Sequence, residues 1–229
     1  MELNIRKSQS GVYFISDLHI GHKNILKHSV ARMPHVQKYM EEYGISDEIE
    51  AHDRWIMDIW FKTTKRGDHV YVLGDFIMHD KKETLKMLNR LKSKGVKIHR
   101  IEGNHDKSTS NMGNMFETDD LIRVVTFKKS QYPFIEEENF QCVLCHYPMK
   151  SWFNKCRGSA QLYGHVHANS PWIDDSLDLC FNVGFDTERA NYGLIPLEDI
   201  YAEYKTKLNG LDKEAYADWA CEQDKTFIR

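Results

Sequence analysis

Seven side chains of metal-ligand type sit in five short motifs, each just after an apolar run. Asp17 and His19 lie in Ser-Asp-Leu-His, Asp75 in Leu-Gly-Asp-Phe, Asn104 in Gly-Asn-His-Asp, His146 in Cys-His-Tyr-Pro, and His165 and His167 in Gly-His-Val-His. At a strand end, residues i and i+2 point to the same side, so Asp17 and His19 can reach one ion, and so can His165 and His167. Gly74 permits a sharp turn that presents the Asp75 carboxylate above a sheet. A carboxylate can bridge two cations, neutral imidazoles suit borderline metals, and an amide carbonyl adds a neutral oxygen. The mixture suits two divalent ions, Mn first, with Fe, Zn or Ni as alternatives; Ca would require oxygen throughout. Hydrolysis of a phosphate ester is the chemistry such a set points to. One Asp after Gly is commonly a turn residue, so the ordered set of five carries the inference.

The runs that must position these motifs are Val12–Ile15, Val70–Leu73, Val96–Ile101, Cys142–Cys145 and Ala160–Tyr163, all strand-like. Between them lie amphipathic stretches, the alternation of a layered α/β protein. Ser46–Phe61 reads as a helix capped at Ser46 or Asp47, with Ile49, Ile56, Ile59 and Trp60 at helical spacing and Trp55 and Met57 widening the face. Glu83–Leu91, Leu197–Leu208 and Asp212–Glu222 read as further helices. The stretch between Asp106 and Cys142 contains a predicted strand, Leu121–Phe127, a turn around Gln131–Pro133 and an acidic run, Glu136–Glu138, expected to be a solvated loop.

A chain of 229 residues with 41% apolar content is expected to form one domain, residues 1–229, with no disulfide staple. The formal charge of −3, from 31 basic and 34 acidic residues, argues against a broad nucleic-acid surface. It leaves room for a local basic cleft. Five irregularly spaced cysteines, with Cys142 and Cys145 three apart on one strand, read as buried thiols in a reducing compartment. No signal-like or membrane-spanning apolar run occurs, so the expected location is the cytoplasm.

The ordered set Asp-x-His, Gly-Asp, Gly-Asn-His-Asp, His and Gly-His-x-His resembles the calcineurin-like metallophosphoesterase superfamily, from Asp17 to His167. Gly21-His-Lys-Asn24, His146-Tyr-Pro148, Phe181-Asn-Val-Gly-Phe-Asp186 and Ile195-Pro-Leu-Glu-Asp-Ile200 are similar to segments of its short bacterial and phage-type members. The resemblance implies a four-layered α/β/β/α sandwich with a dinuclear site at the strand ends. It implies that Asp17, His19 and His167 hold one metal, that Asn104, His146 and His165 hold the other, and that Asp75 bridges them. It also implies that His105 is no ligand and assists the leaving group.

The implied reaction is attack on phosphorus by a metal-bridging hydroxide, on a small or nucleotide-type phosphoester. A metal-dependent nuclease is the alternative, and a non-catalytic scaffold of the same fold a third reading. The nuclease branch usually carries added DNA-binding domains, so no stable nucleic-acid complex is expected, and no membrane partner. Protein Ser/Thr phosphatases carry Asp-Arg-Gly after the Gly-Asp motif, whereas this chain reads Gly74-Asp-Phe-Ile-Met-His-Asp80. That departure argues against a protein phosphatase. Glu102 stands where short relatives usually have Arg. His22, Lys23, Asn24, His79, Lys107, Tyr147 and Arg157 flank the ligands as candidate substrate contacts outside the core site.

Overall fold

The computed structural model describes residues 10–78, 81–106, 112, 114–168 and 178–226. Four segments, β1 (Val12–Ile15), β2 (His69–Leu73), β3 (Lys97–Ile101) and the polar β4 (Thr118–Asp120), pair in parallel. A second sheet is built from β5 (Ile122–Lys128), β6 (Asn139–Cys145), β7 (Ala160–Tyr163) and β8 (Cys180–Asn182). There β5 and β6 run antiparallel, and β6, β7 and β8 parallel. The chain then returns to the first sheet as β9 (Ile195–Pro196), antiparallel to β1, giving the order β4-β3-β2-β1-β9 beside β5-β6-β7-β8. Near-continuous apolar runs such as those of β2 and β7 are what parallel strands need, because both their faces are covered.

Six helices complete the α/β/β/α sandwich: α1 (Ile25–His28), α2 (Met33–Tyr43), α3 (Glu48–Thr63), α4 (Lys81–Lys94), α5 (Leu197–Gly210) and α6 (Lys213–Thr226). Between the sheets, Phe14 of β1 meets Phe127 of β5 edge to face, with ring centroids 6.2 Å apart. Trp60 of α3 stacks on Phe76 just beyond β2, and Tyr204 of α5 packs on Phe140 of β6. One apolar core runs continuously through both sheets.

The expected helix over 46–61 starts where its cap predicts: the Asp47 carboxylate accepts from Glu50 N at 2.7 Å. Its apolar face buries Ile56, Met57 and Trp60 as expected, and also His52. The unpredicted α2 begins with Pro34 in its first turn and stops at Gly44, which is left-handed (φ 65°). It packs with α1 and α3 around a small separate cluster of Ile25, Leu26, Val36, Tyr39 and Ala51. The acidic run is tethered at one residue. Glu137 accepts from Tyr201 Oη and from Lys205 Nζ (2.6 Å), and Lys205 also pairs with Glu136 at 2.9 Å. The run is the exposed loop expected, with Glu136 and Glu138 open to solvent, and α5 presents a cation and a hydroxyl that tether Glu137. Cys142, Cys145 and Cys180 are buried and form no disulfide among the described residues.

Candidate metal centre

The ligand motifs follow β1, β2, β3, β6 and β7, and the two sheets bring them to a common edge. The first donor group is Asp17, His19 and His167, whose candidate ligand atoms lie within 4.8 Å of one another. Asp17 and His19 come from the first sheet and His167 from the second. The turn after β1 locks onto the turn after β2 through Asp17 N to Gly74 O (3.1 Å) and His19 N to Asp75 O (2.9 Å). His165 N donates to both oxygens of the Asp17 carboxylate at 3.0 Å, which ties the sheets together at the site.

The second donor group is Asp75, His146 and His165. Asn104 joins it, with Oδ1 3.0 Å from His146 Nε2. One oxygen links the groups: Asp75 Oδ2 lies 3.7 Å from His19 Nε2 and 3.6 Å from His146 Nε2. The other Asp75 oxygen accepts from His105 N at 2.9 Å. The His105 ring stands edge to face with His19, centroids 5.6 Å apart, and is exposed.

Eight non-glycine residues among those described have positive φ, and five of them are Asp17, His19, Asp75, His165 and His167. Left-handed backbone at such positions costs on the order of 1–3 kcal/mol each and gathers where function demands it. Glycines make the approach possible. A Cβ on Gly164 would fall 1.8 Å from Ser16 Oγ and 2.6 Å from Asp17 Oδ2, and one on Gly74 would fall 2.3 Å from His146 Nδ1.

Burial shapes the charges. It pushes His19 down to about 2, with His167 and Arg32 adding to the effect, so its imidazole is neutral and keeps a lone pair. Burial lowers His165 too, helped by His146. It raises Asp17, against the pull of His167 and His146. Burial also opposes charge on His167, but the Asp186 hydrogen bond and the nearby carboxylates outweigh it and the net shift is upward.

The donor set fits divalent cations. His146 Nδ1 donates to Leu73 O (2.8 Å), so in the neutral ring Nε2 presents a lone pair to Asn104 Oδ1 and Asp75 Oδ2. His167 Nδ1 donates to Asp186 Oδ2 (3.0 Å), which turns its Nε2 towards His19 Nε2 at 3.2 Å. Two ring nitrogens facing each other at that distance share one proton in the metal-free protein, and a cation can take the place of that proton. His19 Nδ1 is one of two buried polar side-chain atoms without a partner among the described residues, so no protein hydrogen bond commits that ring to one tautomer.

Three further groups do structural work here: Asp106, open in the sequence between orienting a neighbour and a loop salt bridge, and Arg32 and Asp186, which the sequence reading did not single out. Asp106, fully buried, accepts from Gly103 N (2.8 Å), Asp75 N (2.9 Å) and Phe76 N (3.0 Å), stapling two ligand turns together; burial raises its pKa. Asp186 and Arg32 form a buried pair behind His167. Asp186 lies in the segment Phe181–Asp186, whose resemblance to family members was visible; Arg32 had no such signal. Of the flanking candidates, Tyr147 is exposed and stands edge to face with His165 at 4.8 Å, and His22 lies 5.8 Å from His19. Lys23, Asn24 and Arg157 are exposed or nearly so, and His79 and Lys107 lie outside the described residues.

The family model for the calcineurin-like phosphoesterases matches residues 11–169, which takes in every one of these ligand turns. The chain belongs to this family. Calcineurin-like phosphoesterases typically bind two divalent metals, in keeping with the two donor groups. The Gene 66 protein of Mycobacterium phage L5 is 30% identical over 97 residues, 42% of this chain and 40% of the phage protein. The chain thus spans less than half the length of that relative. Protein MJ1445 of Methanocaldococcus jannaschii is 28% identical over 167 residues, 71% of this chain and 72% of that one. Among solved structures, AQ665 of Aquifex aeolicus shares the fold with a TM-score of 0.60 at 21% identity, covering 85% of this chain and all of its own. Among the described residues no helix is long and apolar enough to cross a membrane.

Proposed function

We propose that this calcineurin-like phosphoesterase is a two-metal hydrolase of small or nucleotide-type phosphoesters, working as a single domain. Asp17, His19 and His167 would hold one ion, Asn104, His146 and His165 the other, and Asp75 would bridge them. Mn is the best candidate for the native metal, with Fe, Zn or Ni as alternatives. The observation that carries the reading is Asp75 Oδ2, almost equidistant from His19 Nε2 (3.7 Å) and His146 Nε2 (3.6 Å). Bound there, two divalent cations would supply a water activated near neutral pH and offset charge on the phosphoryl oxygens.

The protein's own groups do the rest. Burial keeps His19 neutral, so a donor pair is available without prior loss of a proton. The His105 ring is exposed beside His19, while its backbone N anchors Asp75 Oδ1; from there the imidazole would donate a proton to the departing oxygen. A proton donor so placed is worth roughly 10²–10⁴-fold. Where protein phosphatases carry Asp-Arg-Gly, Met78 N here pairs with Ile20 O and extends the backbone bridge between the turns after β1 and β2. That supports a small substrate over a phosphoprotein.

The test is to strip the protein of metal, add Mn²⁺, and assay a simple aryl phosphodiester, the matching monoester, and single- and double-stranded DNA. Asp75→Asn should lose at least about 10²-fold in activity on the ester that is turned over. His105→Ala should lose roughly 10²–10⁴-fold in kcat, least with the best leaving groups. No turnover of any ester with any of the four metals would sink the proposal. Rapid DNA cleavage with weak turnover of small esters would replace it with the nuclease reading.

A further inference from the structure

Arg32 is fully buried, with every guanidinium N–H assigned to a partner. Nε donates to Asp186 Oδ1 (2.6 Å), and one terminal nitrogen to Asp186 Oδ2 (3.1 Å) and Asp17 O (2.7 Å). The other donates to Leu18 O (2.9 Å) and lies 3.0 Å from His52 Nε2. The carboxylate is as heavily used: Asp186 Oδ2 also accepts from Ser29 Oγ (3.0 Å) and His167 Nδ1 (3.0 Å). The pair therefore touches both halves of the first donor group. Arg32 holds the backbone of the Asp17–Leu18 turn from the first sheet, and Asp186 holds the ring of His167 from the second.

We infer that Arg32 and Asp186 together form the positioning clamp that aligns the Asp17, His19 and His167 ligands across the two sheets. This rests on the two-metal reading above. A buried ion pair is by itself weak evidence for anything beyond packing. What singles this one out is that the direction of every hydrogen bond is dictated. A guanidinium can only donate, so His52 Nε2 must accept and His52 Nδ1 must carry the proton given to Asp53 Oδ1 (2.9 Å). Asp53 Oδ2 in turn accepts from Gly21 N (2.9 Å), next to the ligand turn. An ionised carboxylate can only accept, so His167 Nδ1 must donate to Asp186 and its Nε2 is left for the metal. The planar fork, with its five donors, is needed for this; an ammonium with three cannot span Asp186 and two carbonyls in the same geometry.

The clamp predicts a one-sided defect. Titrating metal-free wild type with Mn²⁺ in a calorimeter should show two binding steps, one of which His19→Ala removes. Asp186→Asn and Arg32→Lys should weaken that step roughly 10–100-fold and leave the other within about threefold. Since either variant could fail to fold, a second measurement uses the unaltered protein. In the zinc-loaded wild type, ¹⁵N shifts of His167 should show Nδ1 protonated and Nε2 bound to metal. Nδ1 as the metal-bound nitrogen would overturn the clamp, as would equal weakening of both steps, or of neither, in folded variants. Failure of the wild type to bind any divalent cation would overturn the two-metal reading and the clamp with it.

Discussion

His167 and His146 each donate Nδ1 to an oxygen, but the oxygens differ in kind. His167 meets a carboxylate, Asp186, itself gripped by a buried guanidinium, whereas His146 meets the neutral carbonyl of Leu73. Beneath the second donor group the buried carboxylate of Asp106 accepts from the backbone N–H groups of Asp75, Phe76 and Gly103, in the ligand turns. One half of the centre is therefore aligned by a network of charged side chains that bridges the sheets. The other is aligned by the backbone of turns whose order the strands already impose.

Substitutions can break that contrast or sharpen it. Gly164→Ala should do most harm, because its Cβ would fall 1.8 Å from Ser16 Oγ at the seam between the halves. A cost above about 3 kcal/mol is expected, seen as a large fall in melting temperature with loss of both metal-binding steps. A wild-type melting temperature would show that the seam yields easily. Asp106→Asn comes next. An amide NH₂ facing backbone N–H donors leaves some of them unpaired, at a cost of about 3 kcal/mol in urea unfolding. The metal step lost in folded material should be the one that Arg32→Lys spares; loss of the other step would erase the distinction between the halves.

A smaller effect serves as a control away from the centre. His99 of β3 stacks on Tyr71 and lies 2.9 Å from His69, and burial, then His69 and nearby cations, press it down to about 4. Its folded value lies below the ordinary 6.5, so the unfolded chain takes the proton first. The stability His99 contributes is whole above pH 6.5, declines as pH falls, and is lost below about 4. His99→Gln should flatten the acid limb by about 2 kcal/mol between those limits without altering either metal step. An unchanged acid limb in pH-dependent denaturation would show that His99 is not a controlling group.

The gathering of the candidate ligands was legible because strand ends and i, i+2 spacing are local, and the run Val12–Ile15 is β1 itself. The helix 46–61 was legible from its cap and period, with each end off by two residues, and 197–208 matches α5 up to its last two residues. The short strands β4, β8 and β9, of three, three and two residues, carry no usable periodicity, and pairing with their neighbours defines them. Arg32 looked like an ordinary cation after Ser-Val-Ala. Only the convergence of a short helical turn, the β1 turn and the segment after β8 buries it, and such convergence is tertiary. Asp106 was visible as a neighbour of His105, but its burial beneath two turns was not.

The left-handed ligands have an evolutionary consequence. A residue such as His165, exposed and held at φ 71°, works against the fold that carries it, and glycine there would relax the backbone. In the absence of metal, His165→Gly is expected to raise stability slightly, by up to about 1 kcal/mol, as the melting temperature would show. On the proposed two-metal reading, histidine holds that position for its donor atom, at a cost to the fold. Relatives that have abandoned catalysis should betray it first at these five positions, before any change in their cores.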